Sequence, residues 1–379
     1  MVEHIPSTYI EVDQMVGSRL SAQPGVRDMC DTLDALPCSD LVTVLTMMSK
    51  GRAEVVTPQE VQRGNRFHEP SDVSPRTFHK IESLIFNTQP DLEFVELSPL
   101  QPFGTNTALA GISEKNVVAA LRGSEVNADA TTALFRVSLD RFLGCGGEDK
   151  TTVAANVRTV RAQQYQKGSK LLPHFKVFAE VTVGKQGRQY GRAELASLAG
   201  HLATEVDTLD AVAASDFSKL ARLSISASNL LFSRQLVERG ELDVAGARTA
   251  TRLLGQVSLV EGAKTPESIP LATPNLGEQL REMGFTKGVR VAELFQGILA
   301  EDHPALLSRI KLDLRRVAGI GYYRHMCYKI IGFDDNDDPV PLVDGGTTNW
   351  AERVTNNKQL YTVTSGLGTE LLARHLMKD

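Results

Sequence analysis

The stretch Ala318–Ile330, AGIGYYRHMCYKI, is the strongest constraint in the chain. Two glycines separated by one residue allow a turn that side chains would block. Two tyrosines, Tyr322 and Tyr323, follow, and then an alternating run that reads as a strand. Two readings are open at this point. The segment is a glycine turn entering a core strand, or its paired rings, apolar with polar tips, form the floor of a site for a small polar ligand.

The segments on either side narrow the choice. Residues 1–65 read as a helical extension: Val26–Leu36 and Ser39–Met48 carry apolar residues at helical spacing, Pro37 divides them, and Ser39 is the expected N-cap. Ser74-Pro75 is a cap followed by proline at the first helical position, and Phe78, Ile81 and Leu84 then mark one buried face. Phe94–Leu97 reads as a strand ending at Ser98-Pro99. Asp129 precedes a helix with Thr131 and Thr132 in its first turn. It is a helix cap, or with Thr131 a carboxylate–hydroxyl corner that grips an ammonium group.

Val153–Gln163 and the run His174–Gly184 read as two strands joined by a polar loop, 164–170. Alternation places Phe175, Val177, Ala179 and Val181 on one face of the second strand, and His174, Lys176, Phe178, Glu180 and Thr182 on the other. With Arg161 on the first arm this is an anion site, or a surface hairpin with a solvated face. A helix over Tyr190–Ala213, a strand over Leu220–Ile225 and a helix over Ser228–Arg239 follow. A helical insertion is expected over about residues 241–308, then a strand at Lys311–Leu314. Asp334–Asp338 reads as a solvated hairpin tip, because its spacing matches no calcium loop. Strands ending at Gly345-Gly346 and over Leu360–Thr364 lead to a glycine-rich strand-to-helix corner, Ser365–Leu372.

Composition excludes some classes of function. The 379 residues carry a net charge of −5, which disfavours general nucleic-acid binding. The four cysteines form no Cys-x-x-Cys pair and the eight histidines no His-x-x-x-His, so no metal site is expected. No run of about 18 apolar residues predicts a membrane span, and the polar N-terminus lacks the parts of a signal peptide. A cytoplasmic protein is expected.

The order of these segments resembles the catalytic domain of class II aminoacyl-tRNA synthetases, specifically histidyl-tRNA synthetase and its paralogue, the regulatory subunit of ATP phosphoribosyltransferase. The resemblance covers roughly residues 70–379. It implies an α+β fold, an antiparallel sheet flanked by helices, with the helical insertion, and no anticodon-binding domain after the last motif. Ser98-Pro99 matches the end of the dimer motif. Asp129 and Thr131 match the acid-x-Thr that holds the amino group, and Arg161 and Phe175 match the second motif. Gly319, Tyr322 and Tyr323 match the first histidine signature, Gly345-Gly346 the start of the second, and Gly368 and Glu370 the third motif.

The departures concern charge. The family's acid after the second-motif arginine is Gln163, and its substrate-contacting glutamine falls at Val177. Its arginine before the tyrosine signature falls at Ala318, the aspartate within that signature at Gly321, and its adenine-stacking arginine at Leu371. The arginine and tyrosine after the glycine pair fall at Thr347 and Thr348. Adenylation depends on positioned cations, and losing one such group typically costs on the order of 10²–10³ in rate. The resemblance therefore implies a homodimeric paralogue that binds an amino acid-like small molecule or regulates a partner enzyme, and does not charge tRNA. Its ligand residues would be Asp129, Thr131, Gln163, Glu180, Tyr322, Tyr323 and Arg324. The alternative is an ATP- and Mg²⁺-dependent enzyme acting on an acyl or phosphoryl group of a non-histidine substrate, independent of tRNA. In it Arg161 is catalytic, and Arg161, Gly368 and Glu370 hold the nucleotide.

Overall fold

The computed structural model describes residues 25–147, 150–163, 171–242 and 257–378. The 164–170 loop and the first part of the expected insertion, 243–256, lie outside the described residues. The chain divides into two compact units. One comprises the described part of Met1–Gly64 with Ala119–Ser124, and the other the described parts of Asn65–Val118 and Glu125–Asp379.

The smaller unit holds α1 (Val26–Asp34), α2 (Cys38–Ala53) and α3 (Pro58–Val61). Pro37, not Ser39, is the N-cap of α2, so the helix begins one residue before the expected cap. Proline supplies the fixed φ but no capping side chain. Thr57 and Glu60 form a capping box on α3.

In the larger unit, α4 (Pro75–Thr88) starts as expected, with the Ser74 side chain accepting from the Arg76 N–H at 3.2 Å. Its buried face is Phe78, Ile81 and Ile85, one residue on from the expected Leu84, because a four-residue step keeps the 3.6 period better. The extended stretch at 94–97 is shorter than expected: β1 is Glu93–Phe94, paired parallel to the next long strand. Then come β2 (Leu100–Pro102), α5 (Thr105–Ala110), the short β3 (Ala119–Ala120), which belongs to the smaller unit, β4 (Ser124–Val126), whose first residue does too, and α6 (Ala130–Gly144). The two-strand arm is β5 (Thr151–Val160) and β6 (His174–Lys185), antiparallel from Thr151↔Val183 to Val160↔His174. β5 stops at Val160, so Arg161 and Gln163 sit just beyond the ladder.

Next are α7 (Arg192–Ala213), β7 (Arg222–Asn229) and α8 (Leu230–Glu238). β7 runs through Ser228, which had been expected in the helix. Asn229 is the cap, its Oδ1 accepting from the Leu231 N–H at 3.0 Å. The described part of the insertion is not purely helical. It contains β8 (Ser268–Pro270) before α9 (Leu276–Glu282), α10 (Val289–Asp302) and α11 (Pro304–Leu307). β8 pairs with β9 (Ile310–Asp313) and ends the sheet. The chain closes with β10 (Met326–Phe333), β11 (Pro339–Thr348), α12 (Trp350–Thr355), β12 (Leu360–Leu367) and α13 (Thr369–Leu376).

The result is a nine-stranded sheet in the order β1-β5-β6-β12-β11-β10-β7-β9-β8, largely antiparallel, with the β1–β5 and β7–β9 pairs parallel. α4, α7 and α10 pack on one layer around Leu198, Leu202, Phe178 and Phe295. α6 and α12 cover part of the other face through Phe135, Phe142, Val181 and Trp350. The Phe135 and Trp350 rings meet edge to face at 5.6 Å. Among the described residues no helix is long and apolar enough to cross a membrane.

Candidate functional site

Strand alternation decides which side chains of β6 reach the site. Phe175 and Val177 point to the α6 side, where a cavity of about 370 Å³ opens. Asp129, Thr131, Arg161, Tyr322 and Tyr323 all line it. The sequence separates Asp129 from Tyr322 by just over half the chain. The fold joins them because α6 starts against the strand-to-turn segment that leads into β10.

Asp129 is both cap and corner. Its Oδ1 accepts from the Thr131 N–H at 2.9 Å and from the Thr131 hydroxyl at 2.7 Å. Since Thr131 donates to Asp129, the Tyr322 hydroxyl 2.9 Å away is left to donate to Thr131. The two tyrosines lie in the turn before β10, and their rings meet edge to face at 4.7 Å. Tyr322 also packs edge to face on Trp350 at 5.4 Å. Burial pushes both phenols well above their ordinary pKa, so each remains a hydrogen-bond donor. Gly319 has φ +89°, and a Cβ there would lie 2.5 Å from the Tyr323 ring. The glycine turn therefore admits the ring, which unites the two readings of this segment.

Asp344 completes the cavity, and the sequence reading missed it. Its Oδ1 accepts from the Tyr323 hydroxyl at 2.8 Å, and Arg316 donates through Nη2 to both carboxylate oxygens at 2.8 and 2.9 Å. Arg316 is buried. Its Nε also donates to the Ala318 carbonyl at 3.0 Å and its Nη1 to the Tyr328 carbonyl at 3.0 Å. Both residues flank motifs already singled out, the acid immediately before Gly345-Gly346 and the arginine two residues before Ala318, but nothing in the sequence pairs them.

Arg161 lines the cavity but is partly committed. Nε and Nη2 donate to the Ala128 carbonyl at 3.1 and 2.8 Å, and Nη2 lies 3.8 Å from Asp129 Oδ2. Phe175 lies beneath the guanidinium at 5.8 Å.

Gln163, Gly368 and Glu370 line a second cavity of about 190 Å³ rather than the first, with Phe175 and Val177 shared between the two. Glu370 there is engaged at both oxygens. It accepts from Arg158 Nη1 and the Lys176 N–H, both at 2.9 Å, and from the Ser71 hydroxyl at 2.6 Å. Leu371 supplies an apolar wall to the same cavity.

Two expected ligand residues lie elsewhere. Glu180 points to the opposite face of β6, because it is an odd number of residues from Val177, and is buried against α7. Arg324 is turned away to pair with Glu352 and with the Tyr190 hydroxyl.

The Glu180 environment has a chemistry of its own. His201 Nε2 lies 3.2 Å from Glu180 Oε1 and 2.7 Å from the Thr182 hydroxyl, and Glu205 is buried nearby. Burial raises Glu180 to about 8, lifts Glu205 well above the carboxylate range and lowers His201 to about 3, so all three are uncharged near neutrality. The acids carry more protons folded than unfolded, so their stabilisation is lost as pH rises from about 4.5, for Glu180 through about 8 and for Glu205 through its own raised value. His201 acts oppositely, losing its contribution as pH falls from 6.5 through about 3. Above pH 6.5 only the acids act. Urea unfolding should therefore show stability falling between pH 6.5 and 8 by about 1.4 kcal/mol per pH unit for each acid. Glu205→Gln should flatten that slope by one proton; an unchanged slope would assign the effect elsewhere.

No family model matches the sequence, and no curated protein matches it. Solved structures do match. An ATP phosphoribosyltransferase regulatory subunit/histidyl-tRNA synthetase from Bacillus halodurans superposes with a TM-score of 0.59 at 15% identity, covering 82% of this chain and 84% of that one. Histidyl-tRNA synthetase from Nostoc sp. PCC 7120 gives 0.53 at 13% identity, over 81% and 74% of the two chains. The apo enzyme from S. aureus gives 0.50 at 13%, over 80% and 72%. The order of elements, the sheet and these superpositions agree: the chain has the class II aminoacyl-tRNA synthetase-like fold in its histidyl-tRNA synthetase-like form.

Proposed function

We propose that this protein is a histidyl-tRNA synthetase-like paralogue that binds an amino acid-like molecule and does not charge tRNA. The observation that carries the reading is the pairing of the basic side chains around the two cavities. Arg316 is held by Asp344, Arg158 by Glu370, Lys176 by Glu82 and Arg374 by Asp72. Arg161 is partly spent on the Ala128 carbonyl. A triphosphate needs cations that are available to it. Both Glu370 oxygens are already engaged, which speaks against a role in holding ATP and Mg²⁺. The corner formed by Asp129, Thr131 and Tyr322 suits an ammonium group, and the remaining Nη1 of Arg161 suits a carboxylate.

In this reading the protein works in the cytoplasm as a homodimer and acts on a partner enzyme. The Bacillus halodurans protein, named as a regulatory subunit/histidyl-tRNA synthetase, is consistent with that role. The enzyme alternative rests on Arg161. Thermal-shift screening of the twenty amino acids should find at least one that raises the melting temperature. Asp129→Asn, which can still accept the Thr131 N–H, should weaken that ligand about 10- to 100-fold, the worth of a hydrogen bond to a charged group. If no amino acid stabilises the protein, the binding reading fails. If pyrophosphate exchange appears and Arg161→Ala abolishes it, the enzyme alternative replaces it.

A further inference from the structure

A third cavity, of about 760 Å³, shares no lining residue with the tyrosine pocket. It lies between the loop after β6, the first turn of α7, α10 and the residue before β10. Gly191, at φ +85°, starts α7 there, and Glu194 is the acid of its first turn. An acid at that position ordinarily sits in water and offsets the helix dipole. Here Glu194 is only 2% exposed, and its Oε1 has no hydrogen-bond partner. Gln186 Nε2 reaches only Oε2, at 3.4 Å.

Two arginines line the same cavity from different elements, Arg188 on the loop and Arg290 on α10. Both are exposed, and neither pairs with a carboxylate among the described residues. This sets them apart from Arg192, Arg281 and Arg324, which pair with Glu301, Glu293 and Glu352. Val291 and Leu294 give the cavity an apolar wall.

Burial raises Glu194 to about 7, opposed by Arg324 and helped by Glu352. Tyr361 also faces it, and its phenol is raised. His325, a further lining group, is lowered to about 4 by burial and Arg324 and is neutral. A protonated Glu194 removes a repelling charge from the floor of the cavity.

We infer that this cavity is a second ligand site, for a small organic anion, a carboxylate or phosphate ester on a compact apolar body. Arg188 and Arg290 hold the head at the N-terminus of α7, the buried Glu194 beneath it places no repelling charge under the head while protonated, and Val291 and Leu294 carry the body. The site is independent of the tyrosine pocket and of the function proposed for it.

Calorimetric titration of the full chain with benzoate and phenyl phosphate tests the inference, with benzyl alcohol as the uncharged control. Both anions should bind, and the alcohol should not. The tighter anion identifies the head group. The double substitution Arg188→Ala/Arg290→Ala, at exposed positions, should weaken both at least tenfold. Benzoate does not titrate in this range, so its affinity should fall about five- to tenfold from pH 6 to 8 as Glu194 ionises. Glu194→Gln should remove that dependence. Arg161→Ala, in the tyrosine pocket, should leave both affinities unchanged. The inference is overturned if the anions bind no better than the alcohol, if the double arginine variant keeps its affinity, or if Arg161→Ala abolishes binding.

Discussion

Gly346→Ala should unfold the tyrosine pocket before it unfolds the protein. A Cβ at this position would lie 2.5 Å from Cδ1 of Tyr323 and 2.8 Å from Cβ of Cys327. Neither neighbour can retreat easily. Cys327 is fixed in β10, paired with Gly346 itself, and Tyr323 is held by its hydrogen bond to Asp344 and by the Tyr322 ring. Overpacking of this kind typically costs about 1–3 kcal/mol. The ring is the softer partner, so it should swing out and release Asp344 from the Tyr323 hydroxyl. The expected result is a lower urea midpoint together with loss of amino-acid binding. Gly345→Ala is the comparison. Its Cβ would meet the Tyr328 ring at 2.5 Å, on the other face of β11. It should destabilise to a similar degree while disturbing binding less. Equal loss of binding in both variants would show that general destabilisation, not the Tyr323 ring, controls the pocket.

The glycine pair also illustrates what the sequence made legible. Steric and capping signals are local, so they could be read directly: Ser74-Pro75, the Asp129 cap, the turn at Gly319, and the alternation of β6. The two tyrosines and the Asp129–Thr131 corner were brought to one cavity by the resemblance in segment order, which no single motif carries. Three kinds of feature were not legible. Which face of β6 meets the pocket is a tertiary choice, so Glu180 was placed with the ligand when it lies under α7. The partner of a long side chain is equally unreadable, and Arg324 went to Glu352. The Arg316–Asp344 pair joins residues 28 positions apart, and nothing local reveals such a contact. A strand within the insertion was hidden because β8 has only three residues, too few for alternation to register.

Arg316→Met should be the most damaging single change near the site. The guanidinium is 2% exposed and makes four hydrogen bonds, two to Asp344 and one each to the carbonyls of Ala318 and Tyr328. Removing one partner of a buried pair commonly costs about 3–5 kcal/mol, because the other charge and the carbonyls are left unpaired. Asp344 is 44% exposed and can recover some hydration, which puts the expectation at the lower end, about 3 kcal/mol. The Tyr328 carbonyl cannot recover its own, since Tyr328 is fully buried in the middle of the sheet. Asp344→Asn alone should cost less, because the amide oxygen still accepts from Tyr323 or Arg316. The double variant should then be less unstable than the sum of the two, by about 1–2 kcal/mol, because in-contact pairs couple on that scale. Additive losses in this double-mutant cycle would mean that Arg316 serves the two carbonyls alone. A positive coupling would identify it as the group that holds Asp344, and through it Tyr323, at the wall of the pocket.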